Sequence, residues 1–197
     1  MISEDLYNKI RKVYGYFCSW AVWDKEGSTP KSNMGNLKIF DLKQNSEILS
    51  ILKNNIIMIG LNFSRPIDNP EPFINFHDKY PYANDFKIRY AFRETIYYGA
   101  YMTDIIKNSI QIKSSILMSS LDDQTIDKNV EVFRNEIACL EAKKPTILAF
   151  GKDAYDILKQ YLYRDEYSSL IKLTHYSDYI RKEDYKKEVL RQISESL

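Results

Sequence analysis

The sequence predicts an α/β fold: three layers, α/β/α, around a central, mainly parallel four-stranded sheet. Three observations lead there. Four short apolar runs bounded by turn residues have the continuous pattern of strands buried on both faces. Segments of helical spacing separate them, and strands that alternate with helices pair in parallel through right-handed crossovers. At 197 residues the chain suits one domain, 1–197, with 1–55 as an N-terminal helical segment packed on it.

Residues Ser3 to about Trp23 open with helical spacing (Leu6, Ile10, Val13, Tyr14, Phe17), and Ser3 and Asp5 stand ready near the N-cap. Asp24 to Asn36 is a loop by composition. Asn45 to Asn54 reads as a short helix, and Ile56 to Leu61 as the first buried strand. Arg65 to Phe86 holds four of the six prolines, and its aromatic residues argue for an ordered loop packed on the body. Lys87 to Tyr97 reads as a helix, Gly99 to Ile106 as the second strand, and Asp127 to Lys143 as an amphipathic helix that Pro145 stops. PTILAFG is the third strand, Lys152 to Tyr163 a helix, Leu170 to Ser177 the fourth strand and Lys182 to Ser194 a terminal helix.

Lys and Arg number 28 against 27 Asp and Glu, a formal net charge of +1, so any polyanion would have to meet a local basic patch. Cys18 and Cys139 lie far apart with no C-x-x-C spacing, which excludes a four-cysteine metal site and a disulfide framework and fits buried thiols in a reducing cytosol. The N-terminus mixes acids and bases, and no run approaches the ~18 apolar residues of a membrane span. The expectation is a cytoplasmic, monomeric protein with no membrane partner, no metal and no cofactor.

In an open parallel sheet, ligands bind outside the carboxyl ends of the strands. Those ends carry Asn62, Phe63, Ser64 and Arg65; Thr103, Asp104 and Lys107; Gly151, Lys152 and Asp153; and His175, Tyr176 and Ser177. The chain's two histidines, His77 in the long loop and His175 at a strand end, both fall on that side. Gly151-Lys152-Asp153 lacks the spacing of a phosphate loop, and two histidines with scattered carboxylates form no metal signature.

GLNFS (Gly60, Leu61, Asn62, Phe63, Ser64) after the first strand, KPTILAFG at the third and THYS after the last together resemble the uracil-DNA glycosylase superfamily. The resemblance covers the body from Ile56 onward. It implies a uracil-DNA glycosylase-like domain that hydrolyses the N-glycosidic bond of uracil or another deaminated or damaged base in DNA. Asn62 would hold the place of the residue that positions the hydrolytic water, with Phe63 where the family has proline. His175 would correspond to the histidine that bonds uracil O2 and stabilises charge on the leaving base. Tyr176 and Ser177 would begin the loop that presses on the DNA strand.

The resemblance also suggests that Phe73 or Phe76 stacks on the base and that Thr103 or Asp104 reads its polar edge. Asparagine orients a water rather than deprotonating it, so Asp104 or Asp78 would supply basicity. Phosphates would be met by cations such as Arg65, Lys87, Arg89, Arg93, Lys107 and Lys152. Plain structural roles fit some of these residues as well: a turn or helix cap for Asn62 and Asp104, loop anchoring for Phe73 and Phe76. A catalytically inactive base- or nucleotide-binding module, and an enzyme acting on free nucleosides, are the alternatives.

Overall fold

The computed structural model describes residues 2–67 and 69–197; Met1 and Asp68, the latter within the segment expected as a loop, lie outside them. Five strands form one mixed sheet in the order β1-β3-β2-β4-β5: β1 (Cys18–Trp20), β2 (Lys53–Gly60), β3 (Ala100–Asp104), β4 (Thr146–Phe150) and β5 (Ser169–Leu173). The last four run parallel, and β1 pairs antiparallel with β3, Cys18 opposite Thr103 and Trp20 opposite Tyr101. The expected four strands are therefore five, and the sheet is mixed. The extra strand lies where a single helix from Ser3 to Trp23 was expected: α1 (Glu4–Val13), capped by the Ser3 hydroxyl, ends at Tyr14. A β-carbon on Gly15 would run into the Arg11 carbonyl, and the apolar run beyond it is claimed by the free edge of β3. A short apolar run carries no periodicity that separates helix from strand.

The remaining helices are α2 (Ile48–Ile51), α3 (Phe86–Phe92), α4 (Ser114–Ser120), α5 (Asp123–Cys139), α6 (Lys152–Tyr161) and α7 (Lys182–Ser196), with a 3-10 turn at Leu37–Phe40. The expected helices at Asn45 to Asn54 and Lys87 to Tyr97 shrink to α2 and α3, and the amphipathic helix begins at Asp123, where the Asp122 carboxylate accepts from the Thr125 amide. The last strand stops at Leu173, so His175 to Ser177 belong to the turn beyond it.

Alternation along the strands divides the core. Ile57, Ile59, Tyr101, Ile147 and Ala149 pack with α1, α5 and α6 on one face. Met58, Met102, Leu148, Phe150 and Leu173 pack with α3 and α7 on the other. Helices on both faces keep the four parallel strands out of water, as parallel pairing requires.

Candidate functional site

The chain leaves β2 through α3 to reach β3 on one side and leaves β4 through α6 to reach β5 on the other, so the strand order reverses between the parallel neighbours β2 and β4. Loops that leave neighbouring strands in opposite senses open a crevice at their carboxyl ends. A cleft of about 670 Å³ lies there, lined from β2 by Leu61 to Arg65, from β4 and α6 by Phe150 to Ala154, and from β5 by Lys172 to Asp178.

His175 follows β5, whose end is held to α7 by Gln192, bonded to Thr174 through both its backbone amide and its hydroxyl at 2.9 Å. The His175 ring stacks on Tyr176, centroids 4.4 Å apart, and Gly151 faces its edge. Gly151 has φ 86° and ψ 171°, a conformation essentially closed to other residues, and a β-carbon there would lie 3.3 Å from His175 Cδ2. The Ser177 amide donates to His175 Nδ1 at 3.1 Å, with the Ser177 hydroxyl at 2.7 Å. A backbone N–H can only donate, so Nδ1 is unprotonated and the neutral ring carries its hydrogen on Nε2. Burial lowers the pKa of His175 and favours that neutral form; Asp178 opposes it and Lys87 adds to it.

Asp104 ends β3 in register with Gly60 at the end of β2. Side chains in register on adjacent strands share a face, and the missing side chain of Gly60 leaves the space that the Asp104 carboxylate occupies; a β-carbon there would strike its Oδ1. Asn75 donates to Asp104 Oδ2 at 2.9 Å, and Oδ1 accepts nothing from the described residues. Burial pushes the Asp104 carboxyl up to about 6, while the Asn75 bond and the Lys107 charge pull it down. A second buried carboxylate, Asp85, accepts from the Asp78 amide at 2.9 Å and is pushed by burial to about 7.

Tyr176 packs edge-on against Phe150 at 5.4 Å and Phe76 at 6.4 Å, and burial raises its hydroxyl pKa well above the usual value. Phe76 has φ 62°, a strained conformation for an aromatic residue, and its carbonyl accepts from the Trp23 indole at 3.2 Å. The surrounding loop thus fixes its ring beside Gly60 and Asp104.

Asn62 turns its amide nitrogen inward, donating to the carbonyls of Phe63 (2.7 Å) and Gln111 (3.0 Å), which ties the end of β2 to the segment after β3. Only its Oδ1 is left to address the cleft. Among the described residues the lining carries Asp78, Asp85, Asp104, Asp153 and Asp178 against Arg65, Lys152 and Lys172. Arg65 is itself bound to Asp78 at 3.0 Å and lies over Tyr80, and the exposed Lys152 pairs with Asp156. The cleft is locally acidic.

Leu61, Asn62, Phe63, Ser64, Arg65, Phe76, Asp104, Lys152, His175, Tyr176 and Ser177 line this one cleft, with Gly60 directly behind it. Three expected site residues do not reach it. His77 is fully buried, stacked on Trp23 with Nε2 2.9 Å from the Val22 carbonyl. Thr103 points to the opposite face from Asp104 because strand side chains alternate. Lys107 is buried on that same face, its ammonium bonded to Thr103 Oγ1, the Asp104 carbonyl and Glu136 (2.7 Å), so it is not placed to meet a phosphate.

Two further expected cations are also buried: Arg89 serves the carbonyls of Asp24, Pro30 and Ser32, and Lys87 that of Asp178. Phe73 lies in the core rather than the cleft. Asp85 and Asn75, both in the cleft, were not anticipated. They sit in an irregular proline-rich stretch without periodicity, and only the folded loop brings them to Asp104 and Tyr176.

Among the described residues, no group of three or more His, Cys, Asp or Glu side chains is arranged to hold a metal ion, and no helix is long and apolar enough to cross a membrane. Comparison of the chain with models of protein families, with curated proteins and with solved structures finds no match.

Proposed function

We propose that this cleft receives the base of an N-glycoside and hydrolyses the bond between base and sugar. One observation supports the reading most directly. A neutral histidine with its N–H free on Nε2 shares a cleft with the acceptor Oδ1 of Asn62, the buried carboxylate of Asp104 and the rings of Phe76 and Tyr176. Cleavage builds negative charge on the base and positive charge on the sugar. A donor at the base oxygen and a carboxylate near the sugar therefore stabilise the transition state more than the ground state.

In this reading His175 Nε2–H donates to a carbonyl oxygen of the base, and Asn62 Oδ1 orients the attacking water. Asp104 takes the water's proton as its oxygen joins the anomeric carbon. The electrons of the broken bond stay with the base. Phe76 and Tyr176 hold the ring, which must leave any helical stack to reach them.

The resemblance to the uracil-DNA glycosylase superfamily makes uracil in DNA the first substrate to test, with the chain acting as a monomer and the exposed Lys152 and Ser177 nearest the strand. Uracil-containing single- and double-stranded oligonucleotides, followed by alkali cleavage, should yield abasic product that His175→Ala reduces at least 100-fold. No abasic product at stoichiometric protein across uracil, hypoxanthine and mismatched bases overturns the DNA reading.

The acidic lining favours a second reading, in which the glycoside is a free nucleoside that brings no polyanionic backbone. Chromatographic release of free base from nucleosides, with no response to added DNA, distinguishes it. Binding without turnover, unchanged in Asn62→Ala, marks an inactive binding module.

A further inference from the structure

Asp104 and Asp85 are 3 % and 8 % exposed, and neither is paired with a cation among the described residues. The nearest candidates are committed elsewhere: Lys107 is bonded to Glu136 beyond the strand, and Arg65 is bonded to Asp78. Buried carboxylates are ordinarily paired or bonded on all sides, because an uncompensated charge in a dry site is costly. Here each retains one oxygen that takes no bond from the described residues, in a cleft large enough for a small molecule.

The walls beside them are aromatic. The Asp104 carboxylate and the Phe76 ring both close on the open side of Gly60, and the Tyr176 ring lies edge-on to the Phe76 ring at 6.4 Å. Carboxylates together with aromatic faces attract a cation that is itself flat, through charge and through the ring quadrupole. A neutral His175 adds no positive charge on the strand-end side to repel it. The basic residues of the lining that carry no cleft carboxylate partner, Lys152 and Lys172, come from α6 and β5, away from the loop and strand that supply Asp85 and Asp104.

We infer that the end of the cleft formed by Asp85, Asp104, Phe76 and Tyr176 selects a positively charged, N-substituted heteroaromatic ring, such as a pyridinium or N-alkylated purine glycoside, over a neutral pyrimidine. This rests on the reading of the cleft as a nucleobase site and narrows it. The chemistry suits the residues present. When the carbon–nitrogen bond of such a glycoside breaks, both electrons go to nitrogen and cancel its charge, so the leaving ring needs no proton. Water adds its oxygen to the anomeric carbon and gives its proton to Asp104.

Calorimetric titration of the full chain with nicotinamide riboside, with its reduced dihydro form and with uridine tests this, because the first two differ in ring charge at nearly equal size. The cationic riboside should bind at least ten-fold more tightly than either neutral one at pH 7.5. Asp104→Asn and Asp85→Asn, checked for folding by circular dichroism, should each reduce that preference to three-fold or less. Equal affinities, no binding of the cation at millimolar concentration, or a preference that both variants retain overturns the inference. So does magnesium binding that displaces the riboside. Base release is read separately: cation-selective binding without it defeats the hydrolytic reading and leaves this one standing, whereas release from neutral substrates with no cation preference does the reverse.

Discussion

At the scale of single residues, the candidate site depends on a few groups whose alternatives are blocked. His175 can present Nε2–H only because the Ser177 amide occupies Nδ1. His175→Gln keeps a donor without the ring and should retain more activity than His175→Ala, the two compared by kcat/KM on whichever glycoside is cleaved. Gly151→Ala puts a β-carbon into a glycine-only conformation and against the His175 ring, so it should cost roughly 1–3 kcal/mol in urea denaturation. It should also lower turnover beyond what that loss of stability explains. With Asp104 titrating at about 6 as the proton acceptor and His175 needed neutral, activity should rise with pH through about 6 and then level off. A rate profile falling over that range excludes Asp104 as the base.

At the scale of elements, the position of Asp104 is fixed by what lies beneath it. Lys107, just beyond β3, reaches back to the Asp104 carbonyl and across to Glu136 on α5, whose other oxygen accepts from the Tyr101 hydroxyl. The pair is 5 % and 0 % exposed in its side chains, so removing one partner strands a buried charge. Lys107→Ala should therefore destabilise the protein by about 3–5 kcal/mol. That lowers Tm by roughly 6–20 °C in a chain of this size. The double change Lys107→Leu, Glu136→Leu should recover much of the loss. A single variant within about 1 kcal/mol of the parent would mean that α5 docks without this network. The same contacts explain why a lysine read from the strand end as a phosphate contact is a brace instead.

For the molecule as a whole, pH dependence exposes the cost of the site. Asp104 and Asp85 hold their protons to about 6 and about 7, against 3.8 ordinarily. These two carboxyls thus bind more protons in the folded chain than in the unfolded one between about pH 4 and 7, and their contribution to stability falls as pH rises through that window. The histidines act in the opposite sense: burial lowers the pKa of His77 and of His175, so they cost stability as pH falls below 6.5. Comparing Asp104→Asn with the parent cancels the histidine contribution. The variant should melt roughly 2–6 °C higher at pH 8 and within about 1 °C of the parent at pH 3, below both values for the carboxyl, while losing activity. A variant less stable at pH 8 would show that the carboxylate is compensated within the fold.

The four parallel strands and the cleft side of the sheet were legible in the sequence. Buried parallel strands are apolar throughout, and the strand-end rule needs only their order. That rule points to Asn62, Asp104 and His175, and all three line the cleft. The sequence also pointed to Thr103, Lys107 and His77, and there the pattern ran out. Which face a residue takes after a strand ends depends on register with its neighbour, as Gly60 beside Asp104 shows. Whether a lysine stays free depends on a carboxylate 29 positions away. Local periodicity determined which elements form around this sheet. Only tertiary packing decided that β1 leaves α1 to pair with β3, that Asp85 and Asn75 join the cleft, and that its charge is acidic, because each of these is a contact between segments that carry no mark of each other in the chain.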